Sequence, residues 1–236
     1  MNAVAHREAL TVSNANGRTG RFNRQSELLG SQAEIDAVNA RLRDSSPADI
    51  VRWALSWRRR TIVTTSMGIN AGATLHAVAS QDASVPVVWV DSGFNLRDTY
   101  QVAEALEQRL GLNLHVYSPE MTAERINVRL GGVPLPDEPE KHAWFTQVVK
   151  LNPFQRALSE LQPEIWITGI RREETEHRRG LDIVSVDRRG IVKVAPFFEQ
   201  SEADLEAYML EHSLPTCRHY FDPTKVEAGR ECGLHL

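Results

Sequence analysis

The chain has 236 residues, 42% of them hydrophobic and 25% charged, with a formal net charge of −4. That length suits one α/β domain with an extended tail, and the balance is globular rather than disordered. A mildly acidic chain is not built to follow a long nucleic acid, and no apolar run approaches the roughly 18 residues that crossing a bilayer requires. Two cysteines, Cys217 and Cys232, can make neither a disulfide framework nor a four-thiolate iron–sulfur cluster. A reducing, cytoplasmic setting is the simpler expectation. Residues 1–25 are polar, with no apolar stretch ahead of a cleavage site, and do not read as a secretory signal.

In chain order, residues 31–43 carry Ile35, Val38 and Leu42 at helical spacing. Ser46-Pro47 predicts the cap and first turn of a second helix reaching Trp57. The β-branched run at residues 61–65 predicts a buried strand, leading through Ser66-Met67-Gly68 into a small-residue helix around Leu75 and Val78. Residues 85–90 are almost continuously apolar and end at Asp91, the pattern of a parallel strand covered on both faces. A helix over 100–110 and an alternating strand over 112–116 follow. Residues 131–140, rich in glycine and proline, predict a loop. Asn152-Pro153 is expected to open a helix to Leu161, and residues 164–170 a strand that stops at Arg171-Arg172. Residues 183–194 predict a hairpin turning at Arg189-Gly190, and Ser201 with Asp204 predicts a capped helix bearing Leu205, Tyr208 and Met209.

Strands alternating with helices indicate an α/β fold with a doubly wound, mainly parallel sheet. The expected organisation is an N-terminal arm and helix over residues 1–45, the α/β domain over 46–215, and a flexible C-terminal tail over 216–236, where no periodicity remains. Ligands of such sheets bind beyond the C-terminal ends of the strands. Three segments fall there: residues 66–70, 91–94 and 169–178.

Each has two readings. Ser66-Met67-Gly68-Ile69-Asn70 can cradle an anion on backbone N–H groups and a helix N-terminus, or be an ordinary tight turn. Asp91-Ser92-Gly93 can accept bonds from a ribose or an adenine amino group, or cap the next helix. Arg171, Arg172 and Arg178 match phosphate geometry, yet Glu173, Glu174 and Glu176 among them allow a surface salt-bridge ladder. Position at a strand end favours ligand contact for Arg171 and Arg178, whereas 58–60 and 188–189 read as solvated charge. Near the end of the chain, Cys232 sits in a polar stretch too short for a core, where Arg230 or His235 can lower the thiol pKa. The rival there is a zinc or redox module using Cys217, His219, Cys232 and His235.

The terminal Arg230-Glu231-Cys232-Gly233-Leu234-His235 resembles the signature of assimilatory 3′-phosphoadenylyl-sulfate (PAPS) reductases, in the family that also holds adenylyl-sulfate reductases. The likeness extends from about residue 50 to the end. Residues 66–76 look like the family's phosphosulfate loop, and Asp91-Ser92-Gly93-Phe94 with Thr99-Tyr100 like its nucleotide segment. Residues 150–157 and Gly169-Ile170-Arg171-Arg172 resemble two further blocks. The resemblance implies an adenine nucleotide alpha hydrolase-like fold. It implies Cys232 as nucleophile, and Ser66, Gly68, Asn70, Asp91, Ser92, Gly93, Lys150, Arg171, Arg172, Arg178, Arg230 and His235 as substrate contacts.

In the implied mechanism Cys232 attacks the sulfur of the bound nucleotide sulfate, leaving S-sulfocysteine and releasing adenosine 3′,5′-bisphosphate. External thioredoxin or glutaredoxin then releases sulfite. Cluster-bearing relatives place a Cys-Cys pair where Phe145-Thr146 stands here, so no bound cofactor and no iron–sulfur cluster is expected. The family is commonly dimeric, which makes a homodimer an expectation. Acid beside a phosphate site is unfavourable unless Glu174 or Glu176 points away. Cys217 matches no family catalytic position and is either a bystander or a resolving thiol for Cys232. Two enzymatic alternatives remain, a cluster-free adenylyl-sulfate reductase and an ATP pyrophosphatase-type adenylating enzyme, the latter disfavoured because residue 66 opens no Ser-Gly-Gly-x-Asp-Ser loop.

Overall fold

A computed structural model of the chain describes residues 29–135 and 137–225. Two helices come first: α1 (Gln32–Leu42), closed by a capping box between Ser31 and Glu34, and α2 (Pro47–Ser56), capped by Ser46. β1 (Thr61–Thr65), α3 (Ala71–Ala79), β2 (Pro86–Val90), α4 (Arg97–Leu110) and β3 (Asn113–Tyr117) then alternate. α5 (Ala123–Leu130), α6 (Pro139–Thr146) and α7 (Asn152–Leu161) lead to β4 (Ile165–Ile167). The short α8 (Glu176–Arg179), the strands β5 (Val184–Val186) and β6 (Val192–Val194), and α9 (Glu202–Glu211) complete the elements among the described residues.

The six strands form one sheet in the order β3-β2-β1-β4-β6-β5, parallel throughout except for the antiparallel β5–β6 hairpin. Gly190, at φ 80°, supplies the left-handed conformation that the hairpin turn needs. Both faces of the central strands are covered, which is why Ile62, Val63 and all of β4 are buried without alternation. Trp166 fills the sheet centre, its indole N–H donating to Thr64 Oγ1 at 2.8 Å, so this fully buried side chain is also polar-satisfied.

At the sheet edge the buried Asn39 of α1 acts as a surrogate strand. Its amide donates to the Val184 carbonyl at 2.9 Å and accepts from the Val184 N–H at 2.8 Å. An open edge is thereby closed by one side chain, and α1 packs into the main core through Leu42.

The stretch between β3 and β4 is more helical than its composition suggests. α5 lies in a stretch without a predicted element, because a short helix that buries only Ile126 gives little periodic signal. The 131–140 loop ends earlier than its composition suggests, since Pro139 starts α6 at the position where a missing N–H costs nothing. The helix expected from Asn152 to Leu161 is present as α7, and α6 runs into it through a π-helical turn, Gln147–Leu151, in which the Asn152 N–H reaches back to the Gln147 carbonyl. The wider turn accommodates Pro153, which cannot donate to an i−4 carbonyl. Lys150 stands on that turn.

Candidate active site

The chain proceeds from β1 outward to β3, then returns to lay β4 on the other side of β1. The gap between the C-terminal ends of β1 and β4 is therefore a topological switch point, where loops diverge and leave a crevice. A cavity of about 390 Å³ opens there, lined from the β1 side by Ser66, Gly68 and Asn70 and from the β4 side by Arg171 and Arg178.

The loop after β1 is held in an uncommon shape. Met67 has φ 51°, its side chain is fully buried, and its N–H donates to Thr65 Oγ1 at 3.0 Å. A left-handed, non-glycine residue persists only where its surroundings over-determine it, and core anchorage does so here. Asn70 occupies the N-cap of α3 yet makes no side-chain cap bond. Its amide instead donates to Glu202 Oε1 at 2.7 Å, so the Asn70 side chain does not cap the positive end of α3, where Asn70 and Ala71 line the cavity.

Arg171 and Arg178 are 7% and 4% exposed. Arg171 donates to Glu173 and Glu202, Arg178 to Glu174. Buried guanidinium groups require such partners. Glu174 also accepts from the Arg171 N–H at 2.9 Å and lines the cavity. Glu174 thus points into the cavity, aimed inward by the turn over Arg172–Glu174. Glu176 does point away, pairing with Arg179 at the surface.

Arg172 is not a cavity residue, contrary to expectation. Consecutive side chains leaving an extended segment take opposite directions. Arg172 therefore turns outward, bonds both oxygens of Glu199 at 2.9 and 2.6 Å, and stacks on Phe198. The Glu199 hydrogen bond raises its pKa.

Asp91 and Gly93 also lie off the cavity wall, while Ser92 and Asn95 are on it. Asp91 Oδ1 accepts from the Gly93 N–H (3.0 Å), Asn95 Nδ2 (2.9 Å) and the Tyr100 hydroxyl (2.8 Å). Its role is to shape the turn that presents Ser92. Burial, then that contact with Asp91, pushes the Tyr100 hydroxyl up to about 12, so it stays a donor at any working pH.

Residues 216–225 pack onto the site rather than trailing from it. Thr216 Oγ1 donates to the Ile69 carbonyl at 2.7 Å and the Arg218 N–H to Asp98 Oδ2 at 2.7 Å. The Tyr220 ring rests on Gly68, where an added Cβ would meet it at 3.3 Å. Lys150 Nζ donates to Asp222 and to Thr224 Oγ1. Cys217 is 2% exposed, turned toward the Met67 carbonyl, and burial pushes its thiol pKa up. His219 is exposed. Cys232, Arg230 and His235 lie outside the described residues.

The phosphoadenosine phosphosulfate reductase domain family matches residues 60–223. The chain belongs to that family. The match takes in the strands and loops that carry the cavity and stops before Cys232. A phosphoadenosine 5′-phosphosulfate reductase of Synechococcus sp. is 31% identical over 234 residues, covering 89% of this chain and 99% of the relative. One from Vibrio vulnificus is 34% identical over 195 residues, 80% of this chain and 75% of the relative. Among solved structures, the PAPS reductase of Candida auris, a phosphate complex, superposes with TM-score 0.69 at 25% identity, over 79% of this chain and 89% of that one. The FMN adenylyltransferase of Candida glabrata, at TM-score 0.54 and 12% identity over 83% of this chain and 64% of that one, shares the fold alone.

Sequence reasoning did not single out Glu202, Tyr220, Asp222 or Thr224 as cavity residues. No local signal marks them. Each faces the cavity because of partners far along the chain, such as Asn70 for Glu202 and Lys150 for Asp222.

Proposed function

We propose that the chain is a PAPS reductase that uses Cys232 as nucleophile and an external dithiol protein, thioredoxin or glutaredoxin, as reductant. The observation that carries this reading is the convergence of Arg171, Arg178 and Lys150 on one cavity at the switch point, beside the uncapped N-terminus of α3. Such a site suits a small, highly charged nucleotide. Guanidinium and ammonium groups neutralise charge as it grows on a leaving phosphate.

The Cys232 thiolate attacks the sulfate sulfur, forming an S–S bond as the bond to the bridging phosphate oxygen breaks. Adenosine 3′,5′-bisphosphate leaves with the electron pair. A thiolate of the reductant then attacks Cys232 Sγ and expels sulfite, and its second thiol resolves the mixed disulfide, so two electrons pass from dithiol to sulfur. Cys232 lies seven positions beyond Lys225, which is on the cavity rim. An extended chain spans about 3.3 Å per residue, ample to bring the thiol to the cavity while residues 216–225 keep their contacts.

Two features support a cluster-free type. The chain holds two cysteines in all. Phe145, where cluster-bearing relatives are expected to carry cysteine, is fully buried and packs edge-on against Phe94 at 5.2 Å. Among the described residues no helix is long and apolar enough to cross a membrane, and a cytoplasmic, reducing setting suits the chemistry.

The test is intact-protein mass spectrometry of reduced enzyme mixed with PAPS or adenylyl sulfate, without reductant. An added SO₃ on Cys232 with PAPS alone is the expected result. The same adduct with adenylyl sulfate alone would keep the chemistry and overturn the substrate. No adduct with either, from a thiol that alkylates readily, would overturn the reading.

A further inference from the structure

Glu202, the first residue of α9, touches both halves of the cavity. Oε1 accepts from Asn70 Nδ2 on the β1 side, at 2.7 Å, and Oε2 accepts from Arg171 on the β4 side. Its own N–H donates to Glu173 Oε1 at 2.9 Å, and that oxygen also accepts from Arg171. The guanidinium is thus held at both terminal nitrogens by two carboxylates, and the Glu202 backbone N–H ties one residue to the other.

The base of this clamp is rigid. A Ser201–Asp204 capping box fixes the start of α9. Further along, Met209 packs so closely on Gly72 of α3 that an added Cβ would lie 3.0 Å from its Cε. The Tyr208 hydroxyl lies 2.9 Å from His76 Nδ1, also on α3. Glu202 is therefore carried by an element docked on the helix whose N-terminus faces the cavity.

The effect on Asn70 is specific. An asparagine at an N-cap ordinarily turns its side-chain oxygen onto the first-turn N–H groups. Asn70 does not, and Glu202 holds its amide. We infer that Glu202 is a positioning residue for nucleotide sulfate binding: it keeps Asn70 off the N-terminus of α3 and aims Arg171, so that both present hydrogen-bond donors to a substrate oxyanion. The inference rests on the reading of the cavity as a nucleotide sulfate site. Because the Glu202 side chain is half exposed, its value lies in aim rather than in stability.

The experiment is steady-state kinetics with PAPS and a thioredoxin reductant, together with calorimetric binding of adenosine 3′,5′-bisphosphate, on wild type, Glu202→Ala, Glu202→Gln and Asn70→Ala/Glu202→Ala. The alanine variant is expected to raise KM and the dissociation constant about tenfold, the scale of one hydrogen bond to a charged group, with kcat and melting temperature little changed. Glutamine, which keeps one acceptor, should recover part of that loss, and the double variant should be little worse than Glu202→Ala alone. Tighter binding by Glu202→Ala would make Glu202 a stand-in for the substrate anion and overturn the inference. Unchanged binding would overturn it too, as would a joint fall of kcat, affinity and melting temperature that glutamine does not relieve. A wild type that binds neither nucleotide would defeat the functional reading itself, whereas a binding wild type with indifferent variants defeats only the role of Glu202.

Discussion

Asp222 accepts a hydrogen bond from Lys150 Nζ across 72 positions of sequence, with both side chains largely buried, at 14% and 9% exposure for Lys150 and Asp222. Thr224 completes the contact, its hydroxyl donating to the other Asp222 oxygen at 2.6 Å and accepting from Lys150 at 3.2 Å. This pair fastens the stretch that leads toward Cys232 to the π-helical turn at the cavity wall. It also keeps the Lys150 charge compensated when no substrate is bound.

Burial opposes ionisation of Asp222, but the Lys150 charge and the hydrogen bonds from Lys150 and Thr224 outweigh it, so its pKa lies below the ordinary 3.8. A depressed carboxyl pKa contributes stability that is complete above the unfolded value and disappears as pH falls through the folded one. The urea stability of wild type is expected to exceed that of Asp222→Asn by a constant amount from pH 5 to 8, with the gap closing below about pH 3.8. A gap that closes near neutrality would assign the effect to another group.

Arg178 and Arg172 are expected to part company. Arg178→Ala should weaken adenosine 3′,5′-bisphosphate binding by tenfold or more, roughly the value of a hydrogen bond to a charged group. Arg172→Ala should leave binding within about twofold, because the interactions it loses, with Glu199 and Phe198, lie outside the cavity. Equal losses in calorimetry would return Arg172 to the binding machinery.

Removing the Tyr100 hydroxyl leaves Asp91 with two of its three donors. Tyr100→Phe should lower unfolding free energy by about 1–2 kcal/mol, measured by denaturant titration, and raise KM modestly through the Ser92 turn. A variant with wild-type stability would show that water replaces the hydroxyl at no cost.

The two cysteines should behave oppositely. Cys232→Ser is expected to abolish sulfite formation while nucleotide binding persists, and Cys217→Ala to retain turnover. With its thiol buried and its pKa raised, Cys217 should alkylate more slowly than Cys232 in a timed iodoacetamide and peptide-mapping experiment. Loss of turnover in Cys217→Ala with the fold intact would revive the resolving-thiol role.

By itself the sequence determined the strands and the helices with a clear apolar period, though not α5 and α6, because that period is a local property. Residues 61–65 and 86–90 are strands wherever they lie, and the Ser201–Asp204 box caps its helix from four adjacent residues. The motifs likewise placed Ser66, Gly68, Asn70, Ser92, Lys150, Arg171 and Arg178 at one site, and all seven line the cavity. Direction and pairing were decided only by the tertiary structure. Arg171 faces the cavity and Arg172 faces away because Glu202 and Glu199, some thirty residues onward, wait on opposite sides. Asn39 became a strand partner, and Asp222 a counter-ion, through contacts 145 and 72 positions away. A hydrogen bond over such separations leaves no periodic trace in the chain, since its geometry exists only once the sheet has brought the two segments together.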